Sequence, residues 1–133
     1  MTNLKSIGNL VASNHTCIIS SSPEMTINKY GDKEWYLNGK LHREDGPAIE
    51  KSNGEKYWYL NGKFHREDGP AVENTNGYKS WWINGELHRE DGPAIEYADG
   101  TKVWYLNGNI VHHNKKTWDQ KVKKSKIDHI MND

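Results

Sequence analysis

The pentapeptide Trp35-Tyr36-Leu37-Asn38-Gly39 returns as Trp58-Tyr59-Leu60-Asn61-Gly62, Trp81-Trp82-Ile83-Asn84-Gly85 and Trp104-Tyr105-Leu106-Asn107-Gly108, always 23 residues apart. Such a period excludes a conventional single core, because each unit is one supersecondary element that buries its apolar face only against its neighbours. The units begin at Gly31, Gly54, Gly77 and Gly100, giving repeats 31–53, 54–76, 77–99 and 100–113. Three of them continue with a His-Arg-Glu-Asp-Gly-Pro-Ala block, at His42 to Ala48, His65 to Ala71 and His88 to Ala94. In the fourth, Val111 to Lys116 replaces that block, as expected where an array stops stacking.

Asn-Gly between an aromatic run and a short alternating run predicts a two-residue type I′ hairpin, since both positions need positive φ. A second turn, at Asn53-Gly54, Asn76-Gly77 and Asp99-Gly100, closes each unit. The expected fold is an all-β repeat, a single-layer meander of hairpins with a short C-terminal capping helix. If both turns hold two residues, Leu37 opposes Lys40, Tyr36 opposes Leu41, Trp35 opposes His42, and Ile49 opposes Trp58 of the next unit. One face then carries the Trp35, Trp58, Trp81, Trp104 row with Leu37, His42 and Ile49. The other carries Tyr36, Leu41, Arg43, Ala48 and Glu50 with their equivalents.

Only 23 of 133 residues are Leu, Ile, Val or Phe, a fraction typical of chains that fail to bury a core. Six Trp and seven Tyr compensate, because each buries a large area at modest entropic cost. A folded but shallow structure follows. Net charge is zero, yet residues 31–99 carry 9 basic and 14 acidic side chains, and residues 115–133 carry 6 basic and 3 acidic. The repeats therefore read as acidic and the tail as basic. A lone cysteine, Cys17, excludes an internal disulfide framework and is expected to be a buried thiol. No long apolar run or charged-then-apolar leader is present, so a cytoplasmic location is expected and the Asn14-His15-Thr16 sequon is read as accidental.

Residues 1–30 are expected to form an N-terminal cap segment, with Cys17-Ile18-Ile19 supplying a strand before the Ser20-Ser21-Ser22-Pro23 cluster. Residues 114–133 read as the capping helix. Thr117 and Gln120 form a capping box, and Trp118, Val122, Ile127, Ile130 and Met131 form an apolar stripe.

The Trp, Asn-Gly-Lys, His and Asp-Gly elements on a 23-residue period resemble the MORN repeat, a β-hairpin solenoid module, across residues 31 to about 113. With Gly31-x-Lys33-x-Trp35, and with Arg-Glu-Asp-Gly-Pro after His42, the chain is most similar to divergent MORN-like arrays of bacteria, phages and large DNA viruses, a bacterial antitoxin group among them. The resemblance implies a non-catalytic scaffold without a cofactor. Some members of that family engage partner proteins and others membrane lipids.

The rows His42, His65, His88 and Asp45, Asp68, Asp91 invite a metal reading. Equivalent residues on such a ribbon lie about 10 Å apart, whereas zinc needs its ligands within ~2.0–2.3 Å of one point. The structural reading is favoured: Asp45 caps backbone N–H groups, Arg43 pairs with Glu50 or a neighbour, and His42 packs on Trp35. Glu44 and Asp45 offer paired carboxylates, but a pair repeated three times in like surroundings is not a catalytic site. The aromatic rows and Lys115, Lys116, Lys121, Lys123, Lys124 and Lys126 suggest single-stranded nucleic acid or an anionic membrane as an alternative, against which the acidic repeats argue.

Protein binding is the leading expectation, because aromatic and arginine side chains anchor interfaces and both recur here in register. The expected contact row is Tyr36, Tyr59, Trp82 and Tyr105 with Arg43, Arg66 and Arg89, gripping a partner protein or a second copy of the chain. Variable positions could tune specificity: Glu34, Tyr57, Ser80 and Val103 are equivalent, as are Lys51, Asn74 and Tyr97, which places Tyr57 and Tyr97 among the candidates. A small-ligand or nucleotide-binding protein is the competing class and needs one deep pocket with convergent polar groups.

Overall fold

The computed structural model describes residues 21–112 and 115–132, and it consists of short antiparallel strands followed by one helix. Strand β1 (Glu24–Ile27) pairs with β2 (Lys33–Leu37), and from there ten strands form one sheet. Two further ladders stand off it, Tyr59–Leu60 with Lys63–Phe64 and Trp82–Ile83 with Glu86–Leu87. The expected single meander is therefore split into a main sheet and separate hairpin tips.

The split has a local cause. Trp58 donates its N–H to the Ala71 carbonyl at 2.8 Å and accepts from the His65 N–H at 3.1 Å. Its partner strand thus reaches the same tryptophan twice, from either side of an excursion over residues 66–70. Proline at 70 has no N–H with which to continue a ladder. The same bonds recur at Trp35 and Trp81.

At Asn38-Gly39 both residues have positive φ, 51° and 81°, and Tyr36 faces Leu41 while Leu37 faces Lys40, as the type I′ reading requires. The other turn differs from expectation. Gly54 has positive φ but Asn53 is absent from that region, the Gly54 N–H bonds the Lys51 carbonyl at 2.9 Å, and the Lys51 N–H bonds the Glu55 carbonyl at 2.9 Å. This is a three-residue turn with a glycine bulge, and the Asn53 Oδ1 accepts the Glu55 N–H at 3.0 Å to hold it. The extra residue shifts the register by one, so Ile49 faces Tyr57 and not Trp58. A shift of one exchanges faces. Ile49 joins Glu34 and Tyr36, while Glu50, opposite Lys33, joins the tryptophan side.

Burial is shallow, as composition implied. Buried apolar residues among those described are Ala48, Ala71, Ala94, Val72, Ile95, Leu106 and Trp118, and the repeated aromatics are half-buried. Stability must come from neighbour-to-neighbour contact. The Arg43 N–H bonds the Tyr59 carbonyl at 3.1 Å and the Gly62 N–H bonds the Leu41 carbonyl at 2.9 Å, each across a unit boundary, and equivalent bonds follow 23 residues on.

Both ends are covered. β1 occupies the outer edge of β2, whereas the predicted strand at Cys17-Ile18-Ile19, like the thiol of Cys17, lies outside the described residues. Asp32 ties this end to the first unit: its Oδ1 accepts the Ser52 N–H at 2.8 Å and its Oδ2 accepts from the Asn28 Nδ2 at 3.1 Å. Those donors, with Lys51 nearby, hold its carboxyl below the usual aspartate range. At the other end, α1 (Lys115–Asn132) starts ahead of Thr117, which therefore lies within its first turn. The side chains facing the sheet are Trp118, Val122 and Ser125. Ile127 and Ile130, expected in that stripe, are exposed, since nine residues separate Ile127 from Trp118 and turn it to the opposite side of the helix.

Candidate functional site

Each excursion is stapled by its arginine. Arg66 lies over the Trp58 ring with 3.9 Å between the guanidinium carbon and the ring centre. Its Nε donates to the Asp68 Oδ1 at 3.0 Å, and its Nη1 donates to the Pro70 carbonyl at 3.0 Å and to the Glu73 Oε2 at 2.8 Å. Arg43 and Arg89 repeat the set on Trp35 and Trp81. The planar guanidinium fork makes this possible and a lysine would not. The Gly69 backbone closes the stack from above: a Cβ there would fall 2.8 Å from the arginine Cζ.

Two expectations are corrected by this geometry. Arg43, Arg66 and Arg89 lie on the tryptophan side and not beside Tyr36, Tyr59, Trp82 and Tyr105, since each leaves the ladder at its excursion to stack on the indole and pair with Glu50, Glu73 or Glu96. The aspartates accept from arginine Nε in place of capping backbone N–H groups.

The histidines link units. The His42 Nδ1 accepts the Asn61 N–H at 2.9 Å, His65 accepts that of Asn84 at 3.0 Å, and His88 that of Asn107 at 2.9 Å. An accepting Nδ1 places the ring proton on Nε2, which then donates to Glu44, Glu67 and Glu90 at 3.2–3.3 Å. His42 thus bonds the next unit's turn, and the group resting on Trp35 is the Arg43 guanidinium.

Between successive excursions lie two grooves of the same construction. One, of about 760 Å³, is floored by Trp58 and Leu60 and walled by Arg43 to Gly46 on one side and His65 to Asp68 on the other. The second, of about 800 Å³, is floored by Trp81 and Ile83, and α1 contributes Val122 and Lys126 to its end. Their rims are acidic. The Glu44 and Glu67 side chains are each 82% exposed.

On the opposite face, Tyr59 stacks on Phe64 at 4.4 Å between ring centres and Phe64 meets Trp82 at 5.3 Å, so this part of the predicted contact row joins one unit to the next. Burial raises the Tyr36, Tyr57 and Tyr59 phenols above their usual range. Tyr57 donates to the Glu55 Oε2 at 3.2 Å, Tyr105 is half-buried, and Tyr97 is exposed with its ring edge-on to Tyr78. Sequence reasoning did not single out the groove floors at Leu60 and Ile83, and it weighed Glu44 and its equivalents only as paired carboxylates and not as a rim, although their 23-residue recurrence carried the signal. No helix among the described residues is long and apolar enough to cross a membrane. No protein-family model, curated protein or solved structure matches this chain.

Proposed function

We propose that this chain is a MORN-like repeat module of four 23-residue units that binds a partner protein and catalyses no reaction. Within that reading, the role the resemblance favours is a small phage- or bacteria-encoded inhibitor or antitoxin acting in the cytoplasm. The observation that carries the proposal is the groove built twice from equivalent residues, with an apolar floor and polar walls already paired internally. A small-ligand site or an active site gathers unsatisfied polar groups at one point. Here the arginines are spent on Asp, Glu and Pro partners and the histidine Nδ1 atoms on the next turn, which leaves shape, apolar surface and rim charge for recognition. A partner spanning several units reads such a surface by area.

Capture from bacterial lysate, followed by mass spectrometry, tests this with two variants. Leu60→Ser with Ile83→Ser alters the groove floors, and Tyr59→Ala with Trp82→Ala alters the opposite face. A protein retained by the parent chain should be lost with the first pair and kept by the second. Loss only with the second pair moves binding to the tyrosine row. A retained small molecule with no protein contradicts the proposal.

A further inference from the structure

The chain itself shows what its acidic loops accept. Where a fourth excursion would stand, α1 packs beside the third one: the Trp118 Nε1 donates to the Glu90 carbonyl at 3.0 Å, and the Lys126 Nζ lies 3.6 Å from the Glu90 Oε1. The Glu90 Oε2 is held by His88, so this glutamate serves the array with one oxygen and the helix with the other. Leu106, equivalent to Leu60 and Ile83, is buried at this end while those two are half-exposed.

The same glutamate recurs without that second partner. The Glu44 and Glu67 Oε2 atoms take their histidines, and among the described residues no lysine or arginine pairs with either side chain. Helix contact leaves the Glu90 side chain 29% exposed, against 82% for its two equivalents. Resting on the protein-binding reading above, we propose that Glu44 and Glu67, with the groove floors beside them, receive a lysine-bearing helix of a partner protein that carries an aromatic anchor, as Glu90 receives α1.

Charge and spacing agree with this occupant. Residues 31–99 carry five more acidic than basic side chains, whereas α1 carries six lysines and two aspartates. Units two strands wide advance about 10 Å. Residues i and i+7 of a helix lie ~10.5 Å apart on nearly one face, so a helix laid across the excursions presents one side chain to each groove in turn.

The probe is a fluorescently labelled peptide of residues 115–132, titrated into the full chain at low salt and read by anisotropy. Saturable binding is expected, weakened about tenfold by Glu44→Gln with Glu67→Gln and by Trp118→Ala in the peptide. Both glutamates are exposed and glutamine still accepts from the histidine, so the double variant should keep its fold by circular dichroism. Glu24→Gln, on the distant β1, should leave affinity unchanged. Absent binding, equal affinity for the glutamine variant, or equal binding of a peptide whose lysines are glutamates would each overturn the proposal. A concentration-dependent dimer of the parent chain abolished by the glutamine pair would overturn it in favour of a second copy. If the peptide fails while a captured protein is still lost with Leu60→Ser and Ile83→Ser, the helix chemistry is wrong and the protein-binding reading stands. If those serine variants keep their captured protein, the groove reading fails independently.

Discussion

Arg66→Ala should lower the unfolding free energy by about 2–4 kcal/mol, read as a reduced denaturation midpoint. The substitution removes two charge-assisted bonds to partly shielded acceptors, at Pro70 and Glu73, together with the stack on Trp58. The third bond, to a largely exposed Asp68, contributes little. The Glu73 carboxylate loses its partner in a half-buried position, which accounts for much of the cost. Arg66→Lys should recover less than half, since an ammonium cannot reach three acceptors and lie flat on an indole. Gly69→Ala supplies a sharper check. In the parent chain its methyl collides with the guanidinium and should destabilise by about 1–3 kcal/mol; in the Arg66→Ala background it should be nearly neutral. Additive effects of the two substitutions would contradict the staple.

Trp118→Ala is expected to cost about 3–5 kcal/mol and to release α1 from the sheet. Its indole is buried and bonded to the Glu90 carbonyl, and among the described side chains of α1 Val122 and Ser125 also turn inward. An 18-residue helix with lysines outside and little apolar surface inside is marginal on its own. Helical circular dichroism at 222 nm should therefore fall while the strand signal persists, and hydrogen exchange should accelerate around Leu106. Unchanged helicity and unchanged midpoint would show that the helix does not depend on this anchor.

The repeat itself was fully legible, because a 23-residue recurrence of Trp, Asn-Gly and Asp-Gly-Pro leaves few ways to place strands and turns. The Asn38-Gly39 hairpin followed directly, since Asn tolerates positive φ and Gly prefers it. The turn at Asn53-Gly54 was misread because the same dipeptide serves a two-residue turn and a three-residue bulged turn. The difference lies in whether the asparagine adopts positive φ or instead accepts the amide two residues on. That single residue sends Ile49 to the tyrosine face and Glu50 to the tryptophan face, where Glu50 meets Arg43. Glu50 was one of the partners expected for Arg43 from charge, but the stack of Arg43 on Trp35 and its close approach to Gly46 depend on the excursion's shape. In α1 the apolar count pointed to Ile127 and Ile130, whereas the seated face is set by Trp118 and by the hydrogen bond from Asn107 to Ser125.

The fold and both grooves require successive units to lie side by side, each histidine accepting from the following unit's Asn-Gly turn. Scalar coupling across hydrogen bonds, measured on ¹⁵N-labelled protein, reads that arrangement directly. Nitrogen–nitrogen couplings are predicted from the Asn61 amide to the His42 Nδ1, from Asn84 to His65, and from Asn107 to His88. Couplings within a unit, or histidine Nδ1 atoms that carry a proton and accept from no amide, would contradict it.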